Sequence, residues 1–345
     1  MRRRVFIILL VLSGCATVPP TPDAKQISRF DIEGEKQLAE GDIKDKIVTT
    51  QRPWYSYVAP FIWPPEFFDP LTWQADLRRI TRFYEARGYY QARILDDAVT
   101  PDGEKFVKLL VRLREGDPAR IRSLAIVGLE ALPEKMQAEV KDGLPLTLDS
   151  IFLEDDWANA KALLALRLRE LGFAEVAVKG EATVDVDESK VDLALNITPG
   201  PRYKIGKLFV ATDANAQVPA KLIADVASPD VPQGEYFSES ALQKAQARVF
   251  QMGVFAGVKV NRGLPDRANA TVPVVIDTRE APFRSFRLGG GLGGDLIRQE
   301  VRVVAEYTNR NLGRSRLLFK NSLLDRLTLK GKLGLAFLPN VGDVI

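Results

Sequence analysis

Few residues in this chain combine the types and the spacing that chemistry needs. There is no histidine, and Cys15 is the single cysteine. Ser-His and Cys-His nucleophilic pairs, and metal sites built from Cys and His, are thereby removed. Two patterns remain. The turn Asp185-Val186-Asp187-Glu188 gathers carboxylates that could serve as an acid–base pair or hold a cation. Its place between two strand-like runs reads better as the solvated turn of a hairpin. The run from Gly289 to Gly294 contains G-x-G-x-x-G at Gly289, Gly291 and Gly294. A dinucleotide site needs a buried parallel strand before that pattern and a helix after it. Arg284, Ser285 and Arg287 interrupt the preceding segment, and alternating segments follow, so the cofactor reading is rejected. No catalytic residue, metal ligand or cofactor is assigned.

The elements around that glycine run carry a different signal. From 327 to 337, Leu327, Leu329, Gly331, Leu333, Leu335 and Phe337 alternate with Thr328, Lys330, Lys332, Gly334 and Ala336. A period of two puts each set on one face of a strand. Val301, Val303, Ala305 and Tyr307 alternate with Arg302, Val304, Glu306 and Thr308, and Leu317 and Phe319 with Arg316 and Lys320. Strands of roughly ten residues, apolar on one face and polar on the other, are what a membrane β-barrel requires. An antiparallel sheet with one face in a soluble core fits the same alternation. Phe286, Leu288, Gly289, Gly290, Gly291 and Gly293 are then the first strand, whose glycines weaken its packing and ladder.

The length, 345 residues, allows several small domains, and 46% hydrophobic content is ample for their cores. With Arg2, Arg3 and Arg4 set aside, basic and acidic residues balance at 45 each, so no broad basic field exists to hold nucleic acid. Those arginines precede an apolar run, Val5 to Leu12, too short to span a membrane as an anchor. Leu12-Ser13-Gly14-Cys15 then resembles the lipobox of bacterial lipoproteins, which implies a signal peptide over 1–15 and acylation of Cys15. An ordinary secretory signal cleaved near Ala16 is the alternative. Residues 16–25 are a Pro-rich tether.

After the tether the chain repeats. Ile27-x-x-Phe30-x-Ile32-x-Gly34 returns as Ile121-x-x-Leu124-x-Ile126-x-Gly128 and as Ile205-x-x-Leu208-x-Val210. Gly88-Tyr89, Gly172-Phe173 and Gly253-Val254 keep the same register, as do Trp73 and Trp157. Several landmarks in one register define three repeats, 26–117, 118–200 and 201–281. Each reads strand, helix, helix, strand, strand. Pro133 opens a helix over Glu134 to Lys141, and a longer helix runs to about Leu171, where Gly172 ends it. Strands are expected over Phe173 to Glu181 and Lys190 to Ile197. In the third repeat, Pro219 opens one helix, Ser238 caps the next and Gly253 ends it. The first repeat carries an aromatic and Pro-rich insert within 52–70, either a local core or an exposed patch.

Three β-α-α-β-β units, the Gly-aromatic pairs and the stretch Glu306-Tyr307-Thr308-Asn309-Arg310-Asn311-Leu312-Gly313-Arg314 resemble the outer-membrane assembly factors. These carry tandem polypeptide-transport-associated (POTRA) domains before a barrel. Three repeats resemble the translocation and assembly module type (TamA-like) within that superfamily. The resemblance implies an α+β chain: three tandem β-α-α-β-β POTRA domains, then the first strands of an antiparallel transmembrane β-barrel over 282–345. It implies a non-enzymatic outer-membrane factor whose periplasmic repeats receive unfolded outer-membrane protein or autotransporter substrates by β-augmentation. The accepting strands would be about Tyr90–Asp96, Phe173–Lys179 and Phe255–Asn261, with Ala92, Ile94, Val176, Val178, Val258 and Val260 at the edges. It also implies outer-membrane lipid and an inner-membrane-anchored, periplasm-spanning (TamB-like) partner. Two features depart from the resemblance: the lipobox, and about four barrel strands where relatives close a full barrel. The Arg-Gly-Phe motif of relatives' late loop has no counterpart here. The remaining strands are expected beyond Ile345 or from other chains. A periplasm-facing lipoprotein scaffold without barrel activity is the alternative.

Overall fold

The computed structural model describes residues 24–51, 67–294, 299–310 and 327–337. The lipobox, most of the aromatic insert, and the strand expected around Leu317 and Phe319 lie outside these residues. The first repeat runs β1 (Gln26–Glu33), α1 (Glu40–Lys44), α2 (Pro70–Glu85), β2 (Arg93–Pro101) and β3 (Phe106–Arg114). The second runs β4 (Arg120–Val127), α3 (Glu134–Lys141), α4 (Glu154–Glu170), β5 (Ala177–Asp185) and β6 (Lys190–Thr198). The third runs β7 (Lys204–Thr212), α5 (Ala220–Ala227), α6 (Glu239–Phe250), β8 (Phe255–Arg262) and β9 (Thr271–Glu280). Three longer strands follow: β10 (Arg284–Gly294), β11 (Gln299–Asn309) and β12 (Leu327–Phe337). The fold is α+β with tandem β-α-α-β-β units.

Each repeat places its last strand at the centre of its sheet, in the orders β1-β3-β2, β4-β6-β5 and β7-β9-β8. The reason is apolar density. Val107, Leu109, Val111 and Leu113 are buried along β3, Val191, Leu193, Leu195 and Ile197 along β6, and Val272, Val274 and Ile276 along β9. First and last strands pair in parallel, which requires a long crossover, and the two helices supply it. Registers correspond between repeats: Phe30 faces Leu109, Leu124 faces Leu193 and Leu208 faces Val274. A bulge follows Ile27, Ile121 and Ile205 alike.

Helix ends follow local chemistry. Asp69 accepts from Leu71 N and Thr72 N at the start of α2, with Pro70 in the first turn. Ser238 Oγ accepts from Ala241 N at 3.2 Å to start α6. Glu154, Asp155 and Asp156 open α4 while Arg167 and Arg169 close it, matching the helix dipole. In the first repeat, Trp73, Ile80 and Tyr84 pack with Phe30, Ile32 and Leu109 in one core, and the Trp73 ring stands edge-on to Phe30 at 5.6 Å. In the third, Ile223, Leu242 and Val249 pack with Val272, Val274 and Ile276. At the end of the aromatic insert, Phe68 packs against the first core.

Two compact units share the second repeat: residues up to 131 with 141–163 and 178–196, and residues 132–140, 164–177 and 197 onward. Within the first, Ala119 N donates to Gly88 O at 2.8 Å, Glu154 N to Ala86 O at 3.0 Å, and the Arg82 guanidinium clamps Glu154. Within the second, Tyr203 N donates to Gly172 O at 2.9 Å and Arg202 Nε to Leu171 O at 2.6 Å. Glu170 accepts from Ser240 N at 2.7 Å and Ser238 Oγ at 2.6 Å. The carbonyl of the helix-ending glycine receives the incoming chain in both places.

One expectation needs correction. The strands expected to accept a segment begin at Arg93 and Ala177, not at Tyr90 and Phe173. Leaving the left-handed conformation of Gly88 and Gly172, the chain makes another turn, closed by Ala92 N to Tyr89 O and Val176 N to Phe173 O. Ala92 and Val176 sit in that turn.

Candidate strand-accepting edges and an apolar-faced sheet

β2, β5 and β8 each lie at the margin of their sheet. A marginal strand leaves every second pair of backbone N–H and C=O groups without a ladder partner, and an extended chain can bond to them. Ile94 and Val178 are half-buried, and Val258 and Val260 are buried. The charged side chains of Asp96 and Asp97 on β2, and of Lys179 and Glu181 on β5, are exposed. Bulges interrupt β2 between Ile94 and Asp96, and β8 between Phe255 and Gly257.

The opposite margin of the first sheet is already occupied. Gln51 Oε1 accepts from Phe30 N at 3.3 Å, Glu40 Oε1 accepts from Ile32 N at 3.3 Å, and Lys44 Nζ donates to Phe30 O at 2.5 Å. Side chains thus replace a neighbouring strand along β1. Asp76, fully buried on α2, fixes the loop carrying Gln51: it accepts from Val48 N at 3.1 Å and Thr49 N at 2.8 Å. Burial pushes the Asp76 carboxyl up, but hydrogen bonds from Thr49, Val48 and Arg79 outweigh it and hold its pKa below the ordinary value. Sequence reasoning missed these groups. The one local signal was a carboxylate on the apolar face of α2.

The acidic turn between β5 and β6 is occupied in structure. Glu188 N donates to Asp185 Oδ1 at 3.1 Å, and Glu188 Oε2 pairs with Lys190 at 3.0 Å and with Arg122 at 3.4 Å. Arg122 also forks onto Asp192, with Nε 3.1 Å from Oδ1, and holds its carboxyl down to about 2. The cleft beside this turn is lined by Gln91, Asp117, Arg120, Asp149, Glu188 and Lys190, opposite charges in near balance.

The last sheet has the order β10-β11-β12 and is antiparallel throughout. Phe286 faces Tyr307 and Leu288 faces Ala305, and the same register brings Leu329 beside Tyr307 and Leu333 beside Val303. Phe286, Leu288, Ala305 and Tyr307 therefore share one face of β10 and β11. The other face of β10 and β11 carries Arg287 opposite Glu306 and Gly289 opposite Val304. Opposite charges directly across a ladder support the pairing. Phe286 is 68% and Leu288 70% exposed, and a Cβ built on Gly289, Gly290 or Gly291 meets nothing within 4 Å. β12 is a direct ladder partner of β11. Among the described residues no helix is long and apolar enough to cross a membrane.

Residues 25–116 match the POTRA family model, described as "Surface antigen variable number repeat". The chain is 28% identical over 144 residues to the outer membrane protein assembly factor BamA of Nitratidesulfovibrio vulgaris, covering 39% of this chain and 17% of that protein. It is 21% identical over 209 residues to BamA of Neisseria meningitidis serogroup B, covering 59% of this chain and 25% of that protein. The chain thus spans a quarter or less of the length of these curated relatives. The crystal structure of Haemophilus influenzae BamA POTRA3-5 aligns over 76% of this chain and 100% of that one, at 17% identity and a TM-score of 0.47.

Proposed function

We propose that this chain is a non-enzymatic outer-membrane protein assembly or translocation factor, of the translocation and assembly module type. Its periplasmic repeats take extended segments of unfolded outer-membrane or autotransporter proteins by strand addition and pass them toward a membrane-embedded sheet. The observation that carries the reading is the succession of three sheets, each with a marginal strand, followed by an antiparallel sheet on which Phe286 and Leu288 lie exposed on one face. Strand addition suits a carrier of many sequences, because main-chain bonds supply affinity without reading side chains. The apolar face suits outer-membrane lipid, and the glycines of β10 suit a seam that pairs weakly. Acylation at Cys15 would tether the first repeat to the membrane, and a periplasm-spanning, inner-membrane-anchored (TamB-like) protein is the partner such a module needs.

The test uses cells that make the full chain with a photoreactive amino acid at Leu95 or Lys179, which lie on β2 and β5. Crosslinks to newly exported outer-membrane proteins, with the chain in the outer-membrane fraction, are the expected result. Crosslinks to one envelope protein alone, with the chain extractable by carbonate, would replace this reading with the scaffold.

A further inference from the structure

We infer that the strand-accepting edges are not equivalent, and that Gln246 of α6 closes the one on the third repeat. The inference rests on the strand-addition reading above and specifies which sheets act in it. Gln246 is exposed on α6, yet its Oε1 accepts a hydrogen bond from Val260 N at 3.1 Å. Val260 stands opposite Ile276 in the antiparallel β8–β9 ladder. Residues directly opposite in such a ladder either exchange both backbone bonds or direct both outward. An N–H that bonds a helix side chain is directed outward, so the groups of Val260 face the open margin of β8. An incoming strand needs that N–H for its own carbonyl. Gln246 already supplies an amide carbonyl there and stands in for the added strand.

Among the described residues, the other repeats lack this stopper. Gln246 lies seven residues before Gly253, and the positions seven before Gly88 and Gly172 are Thr81 and Ala165. Thr81 Oγ1 bonds Leu77 O within its own helix at 3.3 Å, and alanine has no side-chain acceptor. Among the described residues, no side chain hydrogen-bonds a backbone group of residues 94–101 on β2 or of 177–185 on β5. An extended segment therefore adds to β2 and β5 without displacing anything. At β8 it must first displace the Gln246 amide. The third repeat, whose last strand is followed at once by β10, is thereby kept from holding a segment that the preceding repeats hold freely.

The experiment compares the full chain in detergent with Gln246→Ala and Gln246→Glu. The probe is an amidated decapeptide of alternating valine and threonine with a central benzoylphenylalanine, and adducts are mapped by mass spectrometry. The unaltered chain is expected to carry adducts on β2 and β5 and few on β8. Gln246→Ala should raise the β8 adduct roughly fivefold, the effect of removing one side-chain hydrogen bond. Gln246→Glu keeps an acceptor oxygen and should keep β8 closed. Equal labelling of β8 and β2 in the unaltered chain, or no change at β8 in Gln246→Ala, overturns the inference. Absence of adducts from every edge in all three proteins overturns strand addition itself and this inference with it. Amide exchange separates the two failures: Val260 should exchange faster in Gln246→Ala alone while the amides of α6 keep their protection. Unchanged exchange at Val260 would refute the stopper whatever the peptide does.

Discussion

Gly172 shows how much one residue can decide. It holds φ at 102°, and a Cβ placed there would lie 2.9 Å from Arg202 Cγ, on the side chain that bonds Leu171 O. Gly172→Val should therefore cost about 1–2 kcal/mol for the backbone alone, since L-residues resist the left-handed region, and should also displace Arg202. The reading is amide exchange at the last turn of α4 and at Tyr203. Unchanged protection there would refute it. Asp192 makes a second prediction. Hydrogen bonds from the Arg122 guanidinium and the Ser123 hydroxyl hold its carboxyl down to about 2. A depressed carboxyl contributes stability that is complete above the ordinary aspartate value near ~4 and is lost as pH falls toward the folded value. The stability of the second repeat should thus decline between about pH 4 and pH 2, and Asp192→Asn should flatten that part of the profile. The helix-ending glycines were legible because they punctuate apolar runs and precede a large apolar side chain. Asp76, Glu170 and Gln246 were not, since the backbone groups they bond lie far away in sequence.

Among the elements, repeat order was legible from the spacing of Ile27, Ile121 and Ile205 and of the three glycines. The central place of β3, β6 and β9 follows from their denser apolar alternation. The starts of β2 and β5 were placed several residues early, because nothing in Tyr89–Gln91 or Phe173–Glu175 distinguishes a turn from an extended segment until the carbonyls of Tyr89 and Phe173 find their donors. The last sheet yields a prediction that depends only on parity. Leu288 lies on the face shared with Ala305 and Tyr307, and Gly289 on the face shared with Val304. If the apolar face meets lipid, Leu288→Arg puts a charge into hydrocarbon at a cost of about 2–4 kcal/mol near the midplane. Gly289→Arg puts the same charge beside the polar set that includes Arg287 and Glu306. Membrane recovery should fall sharply for Leu288→Arg and stay near the unaltered level for Gly289→Arg. Equal recovery of the two would refute lipid contact along β10.

Within each compact unit, adjacent repeats are bonded through a few backbone groups. Such an array behaves as a one-dimensional chain of local stabilities joined by nearest-neighbour terms. The junction bonds are few but well placed: Gly88 O and Ala86 O receive Ala119 N and Glu154 N, and Gly172 O receives Tyr203 N. A lesion in one core should therefore reach the adjacent unit weakly and the next one not at all. Asp76→Ala provides the lesion. It leaves Thr49 N buried without its acceptor, a loss of about 1–3 kcal/mol, removes the acceptor of Val48 N, and frees the loop that carries Gln51. Hydrogen exchange followed by mass spectrometry should show faster exchange across β1 and α2. A smaller increase is expected over Phe152–Trp157, where Glu154 meets Arg82 and Ala86. The segments Ile223–Ala227 and Leu242–Val249, in the core of the third repeat, should be unaffected. Uniform acceleration through all three repeats would mean that they unfold as one cooperative body, and the nearest-neighbour picture would fall. A response confined to the first repeat would instead show that the Gly88 and Glu154 contacts carry no coupling. The graded pattern distinguishes units joined by real but local bonds from either extreme.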